Sequence, residues 1–176
     1  MEIKYNLTEE DIYQLNLFRL AHVPALRKRQ TITRWGYLAA TMLIVLIAYR
    51  LGVSPSMCLL LMIISILFFV FFPKNTEWQI RRMVTKLYKD PARQESLLGR
   101  SMILSATQLE TKSNSGDHTY AWTDLDVVSI GKDRTMMSFA DGTCLVVPHE
   151  GMEAGSDYEA FTRELRGHIG EVSEAG

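Results

Sequence analysis

Between residues 35 and 72 the chain has no aspartate, glutamate, lysine or histidine, and one arginine, Arg50. That gap argues against a transporter, pump or intramembrane enzyme, which retain ionisable groups at such positions despite their cost. Cysteine is scarce as well: Cys58 lies within an apolar run and Cys144 in a predicted soluble strand. Two cysteines so placed make no disulfide framework and suit a reducing compartment. Ser105, Ser129 and Ser138 lack a G-x-S-x-G setting, no P-loop is present, and GMEAG at 151–155 has no nearby lysine and reads as a linker. The first apolar run begins at residue 35, too late and too long for a secretory h-region, so no signal peptide is expected. No catalytic, cofactor-binding or metal-binding residue is assigned; the chain is expected to be no enzyme and to need no cofactor.

What is present is a pair of apolar runs, residues 35–51 and 57–72, joined through Gly52 and Pro55. Seventeen helical residues at about 1.5 Å each reach roughly 26 Å, close to the ~30 Å hydrocarbon core of a bilayer. The expectation is a transmembrane helical hairpin over residues 35–72, with the lipid bilayer as its partner. A buried hairpin in a soluble protein would need a larger domain to cover it. Arg27, Lys28, Arg29 and Arg34 precede the first run; Lys74, Arg81, Arg82, Lys86 and Lys89 follow the second. Lysine and arginine resist translocation, so both termini are expected in the cytoplasm and the connector outside. That makes a multi-pass protein of the cytoplasmic membrane, with Trp35, Tyr37 and Tyr49 suited to its interfaces. Gly36-x-x-x-Ala40, with Ala39, leaves a homo-oligomer open.

The net charge of −1 hides a division. Through Lys89 the chain carries twelve basic and five acidic residues; from Asp90 onward it carries seven basic and fifteen acidic. The acidic part is a poor partner for nucleic acid, which recruits lysine and arginine through counterion release. It also suits anionic headgroups poorly.

Residues 1–34 read as a cytoplasmic strand and amphipathic helix. Ile3, Tyr5 and Leu7 alternate with polar residues, and Thr8 with Asp11 forms an acidic capping box. Ile12, Leu15, Phe18 and His22 share one side of the helix, which Pro24 interrupts before a second helical stretch enters the first run. Residues 73–90 read as a separate basic juxtamembrane helix: Pro73 is expected to stop the second span, with Asn75 or Thr76 as cap. Its stripe of Ile80, Met83, Val84 and Leu87 leaves two readings, on the headgroups or on the soluble domain.

Residues 91–176 carry short strands separated by turns, at Ser113–Gly116, Gly131–Asp133 and Asp141–Gly142, the last suited to a tight hairpin. Tyr120 and Trp122 mark the third of these strands, with Trp122 as a core anchor. A last helix is expected from a Ser156/Glu159 capping box, with Tyr158, Phe161, Leu165 and Ile169 forming its stripe. The fold class is therefore an α+β membrane protein: a two-helix hairpin plus a cytoplasmic antiparallel β-roll capped by a C-terminal helix. Residues 2–7 supply a further strand if they join the sheet.

The layout resembles the YcxB-like family of bacterial membrane proteins. The likeness rests on IKYNLTEEDIYQLN at the N-terminus, the two spans, the helix through KLYKD, GDHTYAWTDL, and the hairpin into LVVP. It implies a pleckstrin-homology-like C-terminal domain and no established chemistry. Lipid-binding members of that fold cluster basic residues between their first two strands. If the strand at Met102–Leu104 is the first, that loop is 105–107 and has none; if residues 2–7 are the first strand, the objection weakens.

His118 beside Asp117 and His149 beside Glu150 are weak acid–base or metal pairs, because adjacent loop residues lack helical ligand spacing. His22 is placed on the first helix and His168 on the polar side of the last. The leading reading is a non-catalytic, membrane-anchored adaptor whose acidic domain binds a protein partner through an exposed strand edge. Alternatives are an immunity protein that neutralises a membrane-active toxin by direct binding, and a membrane-associated hydrolase using His118 or His149.

Overall fold

A computed structural model describes residues 1–91, 94, 97–114 and 116–169. Ser115 of the predicted turn lies outside them, as do residues 170–176. Among the described residues the chain is α+β, with seven strands in two antiparallel sheets and four helices, two of them long and apolar.

Alternation at the N-terminus makes β1 (Glu2–Tyr5), with Ile3 and Tyr5 facing inward. It pairs antiparallel with β2 (Arg100–Leu104), placing Ile3 opposite Met102, so the N-terminal strand does join the sheet. β3 (Gln108–Ser113) and β4 (Gly116–Ala121) complete the order β1-β2-β3-β4. The chain between β1 and β2 leaves and returns at one clamp. Asn6 Oδ1 accepts from the Gly99 N–H at 2.7 Å, and the Leu7 N–H donates to the Leu97 carbonyl at 3.2 Å.

The outer edge of β1 is covered. The Asn6 N–H donates to the Gly151 carbonyl (2.8 Å), the Glu153 N–H to Lys4 (2.9 Å), and the Lys4 N–H to Ser156 Oγ (2.9 Å). GMEAG is thus a strap along a sheet edge rather than a plain linker. A Cβ at Gly151 would collide with the Asn6 carbonyl oxygen and lie 2.9 Å from Pro148 Cγ.

A 3-10 turn at Trp122–Asp124 leads to β5 (Leu125–Ile130), β6 (Arg134–Phe139) and β7 (Cys144–Pro148), which pair in that order. The Asp141–Gly142 hairpin forms as expected, with Gly142 at φ +81°. The third soluble strand ends one residue early, at Ala121, and Trp122 opens the turn. Its Nε1–H donates to the Ser105 carbonyl at 2.9 Å. His168 is half-buried against that indole, with centroids 4.7 Å apart, rather than on a polar face.

α4 (Tyr158–Ile169; the last helix) turns Tyr158, Phe161 and Leu165 into the core shared by both sheets. Its cap is Asp157, whose Oδ1 accepts from the N–H of Glu159 and Ala160; the expected Ser156/Glu159 box does not form. Ser156 Oγ is already taken by Lys4, so a tertiary bond outcompetes the local one.

α1 (Glu9–His22) has the predicted capping box, with Asp11 Oδ2 accepting from the Thr8 N–H at 2.9 Å and the Asp11 N–H donating to Thr8 Oγ1 at 3.2 Å. Asp11 is 4% exposed, and its other oxygen meets Arg134 Nη1 at 3.1 Å, tying α1 to the start of β6. α2 (Pro24–Arg50) follows after Val23.

α3 runs unbroken over Pro55–Tyr88, so Pro73 does not end the helix and 73–90 is not a separate helix, although the apolar stretch itself ends at Phe72. A proline there removes one N–H donor, a single loss set against helical neighbours on both sides. Thr76 is inside the helix, its Oγ1 donating to the Phe72 carbonyl rather than capping. The end of α3 packs on the body: Val84 is fully buried, Thr85 Oγ1 donates to Glu9, and Arg81 pairs with Glu10 at 3.6 Å.

The chain divides into two compact units, one of Met1–Val23 with Ile80 onward and one of Pro24–Gln79. Within the second, Arg34, Leu38, Thr41, Val45 and Ala48 are the half-buried residues of α2 after Gln30, at alternating spacings of four and three. Cys58, Ser65, Phe69 and Phe72 are covered on α3, the period of a left-handed helix pair. Tyr37 meets Phe68 at 4.2 Å, and the Arg34 guanidinium lies 4.0 Å over the Phe69 ring. Between the helices, the N–H groups of Gly52 and Val53 return to the carbonyls of Tyr49 and Ala48, with Gly52 at φ +83°. This is a Schellman stop, in which glycine adopts the left-handed conformation without a Cβ penalty.

Gly151→Ala should destabilise the body by about 2–3 kcal/mol, since backbone rather than a flexible side chain blocks the new methyl. Urea denaturation of the purified protein measures this. Joining Val23 to Ile80 through a flexible linker should yield a body that unfolds cooperatively by circular dichroism. A fragment starting at Arg100 should aggregate, because Met102 and Leu104 then lose β1.

Candidate functional site

Residues two apart on a strand share a face, so β4 presents His118 and Tyr120 together. Tyr120 stacks on Phe139 of β6 with centroids 4.4 Å apart, while His118 lies further out, 6.5 Å from Tyr120. These aromatics floor a cleft of about 640 Å³, which Thr119, Asp124, Asp141 and Thr143 also line. The Ala140 N–H donates to the Asp124 carbonyl at 2.8 Å, holding the 3-10 turn against the β6–β7 hairpin. That bond brings two carboxylates from distant sequence positions to one rim.

The rim is anionic. Asp141 accepts from the Thr143 N–H at 2.7 Å and from Thr143 Oγ1 at 2.8 Å. Those bonds hold its carboxyl below the usual range. Burial, aided by the Asp141 charge, raises the Tyr120 phenol, so it remains a neutral hydroxyl at physiological pH. Arg100 acts on Tyr120 electrostatically but does not line the cleft.

A second cleft, of about 290 Å³, is lined by Thr8, Glu10, Asp11, Asp133, Arg134, Pro148, Glu150 and Gly151. Its central feature is the Asp11–Arg134 pair that fixes α1, with Arg134 also donating to the Glu10 carbonyl at 3.4 Å. We assign it to structure.

The histidine pairs do not form as written. Asp117 and His118 both lie within β4, and neighbouring strand residues point to opposite faces. His118 instead shares a cleft with Asp124 and Asp141. His149 is exposed and stacks on Tyr158 at 4.8 Å. The His22 ring bonds the Phe18 carbonyl within its own helix. Among the described residues, no group of three or more His, Cys, Asp or Glu is placed to hold a metal ion. Phe139 and Asp141 are legible in the sequence as a strand end and a turn; only the meeting of the two sheets makes them cleft residues.

Comparison with family models, curated proteins and solved structures gives no match.

Beside this site, burial pushes the Tyr5 phenol up to about 12, with Arg100 partly opposing. The raised value means that folding favours the neutral phenol. Stability is therefore retained below the unfolded value, about 10, and lost as pH rises toward the folded one. Denaturation midpoints measured from pH 8 to pH 12 should fall above about pH 10, and Tyr5→Phe should remove roughly 2–3 kcal/mol of that fall.

Proposed function

We propose that the protein is a membrane-anchored, non-catalytic binding module, holding an acidic pleckstrin-homology-like body at the cytoplasmic face of the inner membrane. The observation that carries this reading is apolar surface left open. None of the most apolar stretch of α2 is buried, and only 11% of that of α3. Leu43, Ile44, Leu59 and Val70 are each 58–61% exposed. A core helix of a soluble protein would be covered; lipid supplies the cover here.

The orientation follows from arginine and lysine. Arg27, Lys28, Arg29 and Arg34 lie before the first span and Lys74 after the second, where each contributes about 1 kcal/mol near an anionic leaflet. The connector projects outward and both termini remain in the cytoplasm. Four strands, then three, then a helix is a pleckstrin-homology-like order, and it is the layout that the YcxB-like resemblance implies. With β1 as first strand, the connection to the second strand is residues 6–99, which contain α1, α2 and α3. The turn at 105–107 joins the second strand to the third, so its lack of basic residues says nothing against lipid contact. The body's role in this reading is to recruit a protein to the membrane.

Alkaline carbonate washing should leave the protein in the membrane pellet. A cysteine introduced by Ser54→Cys should react with an impermeant maleimide on intact cells. Cys144, half-buried and with its thiol raised by burial, should react only after the cells are opened and the protein is unfolded. Release by carbonate, or a silent Ser54→Cys, would overturn the membrane assignment or its orientation.

A further inference from the structure

The two edges of the first sheet differ. β1 is covered by the 151–156 strap, whereas among the described residues β4 has one neighbour, β3, in the sheet order. Residues Gly116 to Thr119 are exposed along it. Open edges are usually blunted by lysine, proline or a bulge, because their free N–H and carbonyl groups recruit another strand. The β4 sequence GDHTYA has neither lysine nor proline, and β3 and β4 pair in continuous register from Gln108–Ala121 to Ser113–Gly116.

The cleft beside this edge has a specific charge character. Asp124 and Asp141 stand on its rim, Asp141 held ionised by Thr143, and among the described residues no lysine or arginine lines it. Its floor is the half-exposed Tyr120 ring, stacked on Phe139. An aromatic floor beneath two carboxylates attracts a cationic side chain and repels an anionic one.

We infer that β4 takes an extended peptide segment as an added strand, and that this segment places a lysine or arginine side chain between Asp124 and Asp141, over Tyr120. The inference deepens the binding-module reading and rests on it: main-chain pairing supplies attachment, and the acidic rim supplies selectivity. The partner is thereby a protein with an unpaired, basic, extended stretch. Edge-to-edge pairing of two copies is the competing use of β4, and it would bring no cation to the rim.

The test uses the full-length protein in detergent micelles. The probe is a short peptide of alternating valine and threonine with one central lysine. Its comparators carry glutamate in place of lysine, or N-methyl groups along one backbone edge. The lysine peptide should bind and slow amide hydrogen exchange over Gly116–Ala121. The glutamate peptide should bind at least about tenfold more weakly, as for loss of a charge-assisted contact, and N-methylation should abolish binding. Asp124→Asn with Asp141→Asn should weaken the lysine peptide about tenfold. His118→Lys, at an exposed position on the same strand face as Tyr120, should do the same by repulsion if the double variant folds poorly. Equal binding of both charges, unchanged exchange over Gly116–Ala121, or protection that follows protein concentration without peptide would each overturn the inference. Carbonate extraction and maleimide labelling do not depend on the peptide, so their failure would instead strike the membrane reading.

Discussion

The pairing of β1 with β2 governs the rest of the structure. Ile3 is fully buried and Tyr5 nearly so, and both lie far in sequence from the strand that covers them. Everything from Asn6 to Gly99 is an insertion whose ends are held together by the Asn6–Gly99 and Leu7–Leu97 hydrogen bonds. Such an excursion is tolerable because loop-closure cost grows only logarithmically, by about 0.6 kcal/mol per doubling of length. The clamp adds order to the point of departure and return. A folded body can therefore accommodate a long insertion between its first two strands.

A second dependence runs through Asp11. The same carboxylate closes the capping box of α1 and meets Arg134, at the start of β6. A nearly buried carboxylate is tolerable only because both of its oxygens are engaged. One residue thus joins a local helix signal to the packing of α1 on the second sheet. The acidic rim of the β4 cleft differs in kind: its carboxylates are exposed, and Asp141 is bonded by the hairpin it belongs to.

Local rules read the regular elements well. The Ile3–Tyr5 alternation, the Thr8–Asp11 box, the Asp141–Gly142 hairpin and the stripe on the last helix each depend on neighbours within a few residues, and each forms, with the first strand stopping at Tyr5 short of Leu7. The misreadings share a cause. Ser156 is a plausible cap by local sequence, but Lys4, over 150 residues away, claims its hydroxyl. Pro73 has the chemistry of a stop, yet helix continues on both sides of it. Trp122 fits a strand by alternation and instead turns toward Ser105. The cleft is the least legible feature, because Tyr120, Asp124, Phe139 and Asp141 meet only through the crossing of two sheets. Alternation places His118 and Tyr120 on one face, but nothing local announces what will face them.

The order of strands along the chain also fixes an order in time. β1 leaves the ribosome first and its partner β2 leaves after residues 6–99 have been made. At roughly 5–20 residues per second, that is an interval of about 5–20 s. Throughout it Ile3 and Tyr5 have no sheet to enter, and the nascent chain displays the apolar face of an unpaired strand. Body assembly begins only after both apolar helices have been synthesised. A chain that stalls or breaks within them leaves Ile3 and Tyr5 without the strand that buries them.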